Sequence, residues 1–399
     1  MFSYPTPFTP PTTEEDDLSR LRLIRSRRVG PSTFHRLIAE HGSAAAALAA
    51  LPEVARAAGD PDCKVFPEGI ARAEIAAGRR AGARLLHWGT PDYPALLAET
   101  ADAPPVLWAL GDVALAARPC VALVGARNAS SLGTRMARRL AEDLGRAGFV
   151  VVSGLARGID AEAHRAALPT GTIAAQAGGI EVIYPPENAD LAAQIATHGL
   201  RLSEHPPGME PRAQHFPMRN RIISGLSLGT VVIEAAARSG SLITARTAAD
   251  QGREVMAVPG HPMDGRAFGC NALIRDGATL IRGIEDILEV LGDPEAPAPR
   301  PAPTPAKGVA PRGPRGARAA PGPGAEPPPE RPTKRTAEGP AQGPLGARIL
   351  ALLGPSPTPE DDLIRDLGCS AADFAGAVLE LELDDRVQRH PGAALSRPA

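Results

Sequence analysis

Three glycine-rich turns constrain the fold of this chain more than any other feature. They lie within residues 121–133, 149–160 and 230–244, and each follows a short, valine-rich apolar run and precedes a helix start. Such runs indicate strands buried on both faces, and repeated strand–turn–helix units indicate a parallel sheet. The carboxyl ends of parallel strands meet at one edge of the sheet, where open α/β folds bind their ligands. The sequence therefore predicts that the turns converge on one site for a phosphate-carrying ligand.

Further apolar runs continue the same alternation on both sides of these turns. They predict strands near residues 84–88, 106–110, 172–177, 200–203, 255–258 and 279–282, with helices between them. Prolines flank the first two of these runs, and proline is tolerated mainly at the edge of a sheet. Residues 84–292 are therefore predicted to form an α/β domain with an extended, Rossmann-like, doubly wound and mainly parallel sheet.

Composition divides the remainder of the 399-residue chain, which is long enough for two or three domains. Residues 1–13 are rich in proline and threonine and predict disorder. Residues 14–83 are rich in alanine and predict a helical domain. Its first helix begins at residue 14 and is broken at residues 28–32, a second covers residues 33–41 and a third covers about residues 68–83. Proline, alanine, glycine and arginine dominate residues 293–341, which predicts a linker. Residues 342–399 predict three helices and a hairpin, the pattern of a winged helix.

Two of these flanking segments leave their function open. The turn at residues 28–32 suits either a helix-hairpin-helix that holds a phosphate or an ordinary connection between helices. The third helix of the predicted winged helix occupies the position of a DNA-reading helix, but it carries Asp373, Glu380 and Glu382. Because these carboxylates repel phosphates, contact with another protein is the favoured interpretation.

Bulk properties narrow the functional class. The formal net charge of -2 gives no general attraction to nucleic acids, so any such binding must come from a local basic patch. The four cysteines are far apart and have no histidine cluster beside them, which argues against a zinc site or a disulfide framework. The N-terminus lacks the pattern of a signal peptide, and no apolar run is long enough to span a bilayer. We therefore expect a cytoplasmic protein without membrane contact, metal or cofactor.

The first turn offers groups that suit a phosphate. Gly125 lies at the strand end, Arg127 supplies a charge, and Ser130 and Ser131 open the following helix with hydroxyl donors. Arg127 occupies the place of the second glycine in G-x-G-x-x-G, so the turn is not a dinucleotide fingerprint. The two serines also suit helix capping, and capping is compatible with binding.

The second and third turns are interpreted in the same way. Asp160 and His164 lie one helical turn apart, which suits either an acid–base pair or a structural role, and the lack of an accompanying nucleophile favours the structural one. Glu234 ends the strand before the third turn and suits the organisation of a serine loop, because a carboxylate repels an anion. The residues of these turns that we predict to bind phosphate are Gly154, Ala156, Arg157, Gly158, Ser239, Gly240, Ser241 and Thr244.

A basic and aromatic cluster lies between the second and third turns. Phe216 is followed by Arg219, Asn220 and Arg221 in one helical segment. A nucleobase can stack on Phe216 while the arginines hold flanking phosphates. The alternative is a surface helix that Phe216 anchors to the core. We expect the cluster and the three turns to form one DNA-binding and phosphate-binding site.

These segments together resemble the DNA-processing protein A family, also called DprA or Smf. The resemblance is carried, in order along the central domain, by residues 125–133, 153–164, 184–188, 203–204, 216–227, 234–244, 252–253, 257–260, 269–271 and 277–278. It implies that the helical N-terminus is similar to the family's sterile-alpha-motif-like (SAM-like) domain. It also implies that the C-terminus is similar to the family's winged-helix domain.

The resemblance implies a function as well. Members of the family are non-enzymatic proteins that bind single-stranded DNA, protect incoming DNA during natural transformation and load the recombinase RecA onto it. They generally dimerise through the Rossmann-like domain, so we expect a homodimer whose partners are single-stranded DNA and RecA. There are two alternatives: a purely structural adaptor for RecA, which would bind no DNA without its partner, and a nucleotide-processing enzyme similar to the lysine-decarboxylase-like phosphoribohydrolases. Those enzymes use a Pro-Gly-Gly-x-Gly-Thr loop with a downstream glutamate, whereas this chain has Arg-Ser-Gly-Ser and no glutamate in residues 241–249.

Overall fold

The structure, a computed structural model, describes residues 14–60, 63–294, 345–353, 358–383, 386–390 and 394–396. The predicted disorder of residues 1–13 and nearly all of the predicted linker, residues 295–341, lie outside the described residues. The chain forms two compact units, Met1–Pro299 and Arg300–Ala399. None of the helices in the described ranges is long and apolar enough to cross a membrane.

Four helices form the N-terminal part of the first unit: α1 (Glu14–Arg25), α2 (Pro31–His41), α3 (Ala44–Ala57) and α4 (Glu68–Arg80). The sequence pattern predicted α1, α2 and α4 but missed α3. Gly42, with a φ of 78°, ends α2, and the hydroxyl of Ser43 accepts the N–H of Ala46 at 3.2 Å to begin α3. Because α3 is rich in alanine, its polar and apolar residues alternate too weakly to mark it as a separate helix.

A nine-stranded sheet forms the centre of the first unit. Its strands are β1 (Arg84–His87), β2 (Val106–Gly111), β3 (Cys120–Gly125), β4 (Val150–Ser153), β5 (Thr172–Ala175), β6 (Leu200–Ser203), β7 (Gly229–Ile233), β8 (Glu254–Ala257) and β9 (Thr279–Leu280). Their spatial order is β1-β2-β6-β5-β4-β3-β7-β8-β9. The seven strands from β6 to β9 in this order are parallel, and β1 and β2 add an antiparallel edge. The structure confirms the predicted doubly wound, mainly parallel sheet.

Helices cover both faces of this sheet. They are α5 (Ala95–Ala98), α6 (Ser131–Arg146), α7 (Ile159–Ala167), α8 (Ala189–His198), α9 (His215–Gly225), α10 (Ser241–Asp250), α11 (Phe268–Arg275) and α12 (Ile284–Leu291). Alternate residues of β3 point to opposite faces, so Val121 and Leu123 pack with α6, α7 and α12, whereas Ala122 and Val124 pack with α9, α10 and α11. Burial on both faces explains why these strands are almost continuous apolar runs in the sequence.

The strand order creates a switch point between β3 and β7. From β3 the chain moves through β4, β5 and β6 on one side of the sheet, and it later continues through β7, β8 and β9 on the other. The helices that follow β3 and β7, α6 and α10, therefore lie on opposite faces. Connections that diverge in this way open a crevice at the carboxyl ends of the two strands, where ligands bind in doubly wound folds.

The N-terminal helices pack directly against the antiparallel edge of the sheet. Trp108 of β2 is 1% exposed, and its indole N–H donates to Glu74 of α4 at 3.2 Å. Glu74 also accepts from Arg25 of α1 at 2.8 Å, and Arg25 donates to the carbonyl of Glu204 at 3.0 Å. A single buried carboxylate thus links two helices to the sheet, with charge-assisted hydrogen bonds compensating its burial.

The second unit contains three helices and a small sheet. The helices are α13 (Leu345–Leu352), α14 (Glu360–Leu367) and α15 (Ala371–Leu383), and the strands are β10 (Thr358–Pro359), β11 (Gln388–His390) and β12 (Ala394–Ser396). The strands pair in the order β10-β12-β11. Ile349, Phe374, Val378 and Leu395 meet in the core between the helices and the sheet. This arrangement confirms the predicted winged helix.

The contact between α4 and β2 yields a test of stability. A Cβ on Gly78 would lie 2.0 Å from the ring of Trp108, which is buried and held by Glu74. We expect Gly78→Ala to lower the free energy of unfolding by about 1–3 kcal/mol through overpacking. Gly69→Ala in the same helix is the control, because a Cβ there meets nothing within 4 Å. Urea unfolding followed by circular dichroism measures both variants, and equal stabilities would contradict the tight contact.

Candidate functional site

A cavity of about 650 Å³ lies at the switch point of the sheet. Its walls come from the turn after β3, the turn after β7 and one side of α9, and Ala156, Asp160 and Arg266 complete them. Of the predicted site residues, those that line it are Gly125, Arg127, Ala156, Phe216, Arg219, Asn220, Ser239, Gly240, Ser241 and Thr244. A volume of this size is typical of pockets that enclose a small ligand or part of a larger one.

The predicted phosphate donors of the first helix start are engaged by the protein itself. Glu234 accepts the N–H of Ser130 at 2.8 Å and also the hydroxyl of Ser130, whose Oγ accepts the N–H of Gly133 at 3.0 Å. A φ of 53° at Glu234, unusual for a residue with a side chain, directs its carboxylate towards α6. Glu234 therefore organises the Ser130 loop. Ser130 lies outside the cavity walls, as does the exposed Ser131.

Asp160 holds the second turn in a similar way. Its Oδ2 accepts the backbone N–H of Gly154 at 3.1 Å and that of Ala156 at 3.4 Å. Burial raises the pKa of Asp160, and the nearby Arg219 opposes this rise. The N–H groups that were predicted to bind phosphate in this turn are thus directed at a carboxylate of the protein, although Ala156 still contributes to the cavity wall.

His164 is not paired with Asp160. Its Nε2 accepts the N–H of Leu155 at 3.3 Å, and its Nδ1–H donates to the hydroxyl of Thr172 at 2.7 Å, because that hydroxyl itself donates to the carbonyl of Val151. Burial lowers the pKa of His164 to about 3, so the ring is neutral. His164 therefore supports the backbone of the second turn, and the structure favours the structural interpretation over an acid–base pair.

Arg219 is the buried cation of the cavity. It is 4% exposed, and a Cβ on Gly154 would lie 1.3 Å from its Nη1. Only glycine at position 154 leaves room for the guanidinium, so Gly154 serves the arginine rather than a ligand. Burial lowers the pKa of Arg219, and Arg127 lowers it further, whereas Asp160 raises it. Asp160 thereby supplies the negative charge that a buried guanidinium requires.

Phe216 and Arg127 form an aromatic and charged surface at the mouth of the cavity. The guanidinium carbon of Arg127 lies 5.3 Å from the centroid of the Phe216 ring, the geometry of a cation–π contact. Arg127 is exposed and Phe216 is half-buried. Arg127 comes from the turn after β3 and Phe216 from the start of α9, and the two elements meet at the sheet edge.

Arg221 lies on the side of α9 that faces away from the cavity. It forms an ion pair with Glu204, and its Nη1 donates to the carbonyl of Asp102 at 2.7 Å. Its side chain is buried in this network. The structure therefore separates Arg219 from Arg221, although the sequence predicts that both bind phosphate. Residues two apart on a helix point in nearly opposite directions.

Two further predicted residues also lie outside the cavity. Arg157 is exposed and forms an ion pair with Glu187. Gly158 has a φ of 69°, and a Cβ there would lie 2.3 Å from the carbonyl oxygen of Ala126. Gly158 therefore allows the second turn to pack against the first, which is a structural use of glycine.

Besides Asp160, three polar residues line the cavity that the sequence did not predict for the site: Asn128, Arg238 and Arg266. Arg238 lies within the third turn, beside residues that were assigned. Arg266 follows β8, whose carboxyl end lies at the same edge as that of β7, and it pairs with Asp264 at 3.2 Å. The sequence could have predicted Arg266 for the site from this shared edge, because every loop that follows a parallel strand of this sheet emerges there.

The start of α10 lies in the wall of the cavity. Gly240 stands at its N-cap and provides no capping side chain, and the hydroxyls of Ser239 and Ser241 lie 2.7 Å apart. All three residues line the cavity. In the first turn Ser130, held by Glu234, caps the N–H of Gly133, and in the second turn Asp160 accepts two N–H groups. At the start of α10 the N–H groups of Ser241, Leu242 and Ile243 also have acceptors within the protein, so this helix start presents the two serine hydroxyls to the cavity.

Comparisons with known proteins bear on the same regions. The model of DNA recombination-mediator protein A matches residues 84–292, a DprA-like N-terminal HHH domain matches residues 14–77, and a DprA winged helix domain matches residues 325–393. DNA processing protein DprA of Bacillus subtilis is 46% identical over 220 residues, which is 54% of this chain and 74% of that protein. The corresponding protein of Streptococcus pneumoniae is 46% identical over 198 residues, 49% of this chain and 70% of that protein. The resemblance found in the sequence is confirmed.

A solved structure gives a similar result. The X-ray structure of DNA processing protein A from Streptococcus pneumoniae superposes with a TM-score of 0.54 and 35% identity, covering 65% of this chain and 86% of that chain. The likeness therefore extends beyond the glycine-rich turns to most of the arrangement of helices and strands.

The buried, neutral His164 should make the folded protein sensitive to acid. Its pKa falls from 6.5 to about 3 on folding, so its contribution is fully present above pH 6.5 and is lost as the pH falls towards 3. We expect stability to decline less over this window in His164→Gln, whose amide can donate to Thr172 and accept from Leu155. Urea unfolding across this pH range measures both slopes. Asp160 and His205 remain in both proteins, so equal slopes would contradict a neutral, buried His164.

Proposed function

Because the chain belongs to the DNA recombination-mediator protein A family, we propose that it binds single-stranded DNA in the cavity at the switch point of its sheet. The observation that carries this proposal is the combination of Arg127, Arg219, Arg238 and Arg266 with the ring of Phe216 in one cavity. Guanidinium groups match phosphate oxygens in charge and geometry, and an aromatic ring offers a face for a nucleobase. The start of α10 adds the hydroxyls of Ser239 and Ser241 to the phosphate site.

The geometry favours a single strand over a duplex. In a duplex the bases are stacked inside, and only their edges and the phosphates face a protein. The Phe216 ring gains contact area only when a base leaves its stack and enters the cavity mouth. A duplex would therefore reach the arginines at most through one backbone and would leave the ring unused.

The local charge supports the same proposal in a chain whose net charge is -2. Arg127 and Arg238 have no carboxylate within 4.0 Å among the described residues, so their charges are available to an anion. Asp160 is the acidic residue of the cavity wall, and it is buried behind Arg219. The cavity therefore presents a positive surface to its mouth, where a phosphate approaches.

We propose that the protein binds this single strand as part of DNA recombination. The family resemblance implies that the protein protects incoming single-stranded DNA during natural transformation and loads RecA onto it in the cytoplasm. It also implies a homodimer formed through the Rossmann-like domain. A dimer would present two cavities to one strand, and avidity between them would strengthen binding without any new contact.

We further propose that the cavity binds without catalysing a reaction. The phosphoribohydrolase alternative needs an acid or base at the third turn, but α10 carries no glutamate and His164 is buried behind the second turn. Asp160 has the raised pKa that many catalytic acids have, but its side chain is buried and its Oδ2 accepts two backbone N–H groups. These contacts support a structural carboxylate.

The first expected outcome concerns the choice of nucleic acid. We expect the protein to bind single-stranded DNA more tightly than duplex, with a Kd that rises steeply with salt. Four arginine–phosphate contacts correspond to a slope of about -3 in a plot of log K against log salt, at roughly 0.7 per contact. Fluorescence anisotropy with a labelled oligonucleotide gives both quantities. Equal affinity for the two forms, or a flat salt response, would sink the proposal.

Arginine substitutions test the assigned cavity. Arg127→Ala and Arg219→Ala each remove a charge-assisted contact of on the order of 1–3 kcal/mol, which is roughly 5- to 150-fold in Kd. Arg127 is exposed, so its removal should leave the melting temperature unchanged. Anisotropy and thermal unfolding measure the two effects. A fall in melting temperature for Arg127→Ala, parallel to the loss of affinity, would show that Arg127 is structural.

Two arginines outside the cavity provide controls for these variants. Arg157→Ala removes an exposed charge that pairs with Glu187, and we expect little change in affinity or stability. Arg221→Ala leaves Glu204 buried without its partner, and burial already raises the pKa of that carboxyl. We expect a loss of about 3–5 kcal/mol in stability. Normal melting together with lost DNA binding in Arg157→Ala would contradict the assignment.

Turnover assays test the absence of catalysis. Nucleoside monophosphates, ATP and single-stranded DNA should remain unchanged after long incubation with the protein at neutral pH. Chromatography would detect a released base or a shortened strand. Base release that disappears in both Asp160→Asn and Glu234→Gln would favour the phosphoribohydrolase alternative.

A further inference from the structure

Tyr184 is an exposed aromatic residue beside the cavity that the site described above does not use. Its side chain is 51% exposed, and its ring centroid lies 5.7 Å from that of Phe216. Aromatic residues make up 3% of this chain, so two adjoining rings at one surface are an unusual concentration. A single exposed apolar side chain needs no explanation, but one that continues a proposed binding surface does.

The two rings flank a second, shallow depression. Tyr184, Gly178, Val182 and Gly154 are among the residues that line it. Phe216 and Arg219 line both this depression and the cavity, so the two are direct neighbours. A strand whose base contacts Phe216 would therefore reach Tyr184 with its next nucleotide.

The loop that carries Tyr184 is held in place on several sides. The carbonyl of Val182 accepts from Nε2 of Gln176 at 3.1 Å, and the carbonyl of Ile180 accepts from the buried Arg201 at 2.5 Å. Beyond the tyrosine, Nδ2 of Asn188 donates to the carbonyl of Leu155 at 2.9 Å, which ties the loop to the second turn. The ring is thus exposed on a rigid support, and a ligand would not have to bear the entropy of ordering it.

We infer that Tyr184 is a second stacking platform, which takes the base of the nucleotide next to the one held at Phe216. This inference rests on the proposed binding of single-stranded DNA and names a subsite that adjoins the cavity. The ring offers a π-face to any base, and its hydroxyl can donate to a base or a phosphate oxygen. Arg219 lies between the two subsites and suits the phosphate that joins the two nucleotides.

The angle between the rings determines the shape of the bound strand. The planes of Tyr184 and Phe216 are inclined by 61° to each other. Consecutive bases in a stacked strand lie parallel, so two bases that each stack on one of these rings must separate from each other. The subsite therefore accepts an unstacked single strand, and it excludes a duplex for a reason independent of charge.

The test removes one base and one ring at a time. The probe is the shortest oligo(dT) that binds with full affinity, because such an oligonucleotide cannot shift its position along the binding site. A single abasic residue is placed at each of its positions in turn. In the native protein we expect two neighbouring positions at which the abasic residue weakens binding by about tenfold, since each loses one stacked base. In Tyr184→Leu we expect the intact oligonucleotide to bind about tenfold more weakly, and one of the two positions to become insensitive.

Three comparisons keep the test decisive. Tyr184→Phe keeps the π-face and should retain the native pattern of two sensitive positions. Ile70→Ala removes an exposed apolar side chain from α4, and its affinity should remain that of the native protein. If Tyr184→Leu weakens intact and abasic oligonucleotides equally, the tyrosine is structural and the inference is wrong, although single-strand binding stands. If the native protein binds no oligonucleotide, it is the proposed function that fails.

Discussion

Backbone N–H groups at the ends of three neighbouring strands impose the constraint on which the rest of this site depends. Each strand–turn–helix connection leaves amide groups without a helical acceptor, and a folded protein must satisfy them. The chain satisfies the first helix start with Ser130, which Glu234 holds, and the second turn with Asp160. Both carboxylates come from residues at the same sheet edge. At the start of α10, where the N-cap is Gly240, oxygens of Ser239 and the carbonyl of Gly240 accept the first three N–H groups.

The carboxylates also determine where the positive charge can lie. Asp160 fixes the second turn and at the same time supplies a field for the buried guanidinium of Arg219. Arg219 requires the space that Gly154 leaves, and Phe216 lies one helical turn away on α9. The turn, the glycine, the aspartate and the arginine therefore depend on one another. A change at any one of them alters the floor of the cavity.

Helix α9 connects this cavity to the remainder of the first unit. One side of the helix presents Phe216 and Arg219 to the cavity, and the other side places Arg221 in an ion pair with Glu204. The carbonyl of Glu204 accepts from Arg25 of α1, and Arg25 also binds Glu74. The position of the binding helix is thus coupled to the N-terminal helices through a buried polar network. Such networks specify one arrangement, because a group that loses its partner is costly to bury.

Much of the architecture follows from local features of the sequence. Valine-rich runs marked β3, β4 and β7 because a strand buried on both faces has no polar side, and the glycine-rich turns marked their carboxyl ends. The sequence pattern did not predict helix α3, because its many alanines give no clear helical periodicity. The convergence of Arg127, Phe216 and Ser239 could also be expected, since parallel strands place their following turns at one edge.

The sequence by itself determined the fold, the sheet edge at which the cavity lies and the chemical character of its lining. Tertiary structure decided which residues of that edge face the cavity. Ser130 is bound by Glu234, which lies 104 residues away in the sequence. Arg221 forms an ion pair with Glu204, whereas Arg219 lines the cavity. It also placed Arg266 and Tyr184 beside the site. Strand and helix periods are local and can be read along the chain, whereas the partner of a buried charge is chosen by packing between distant segments.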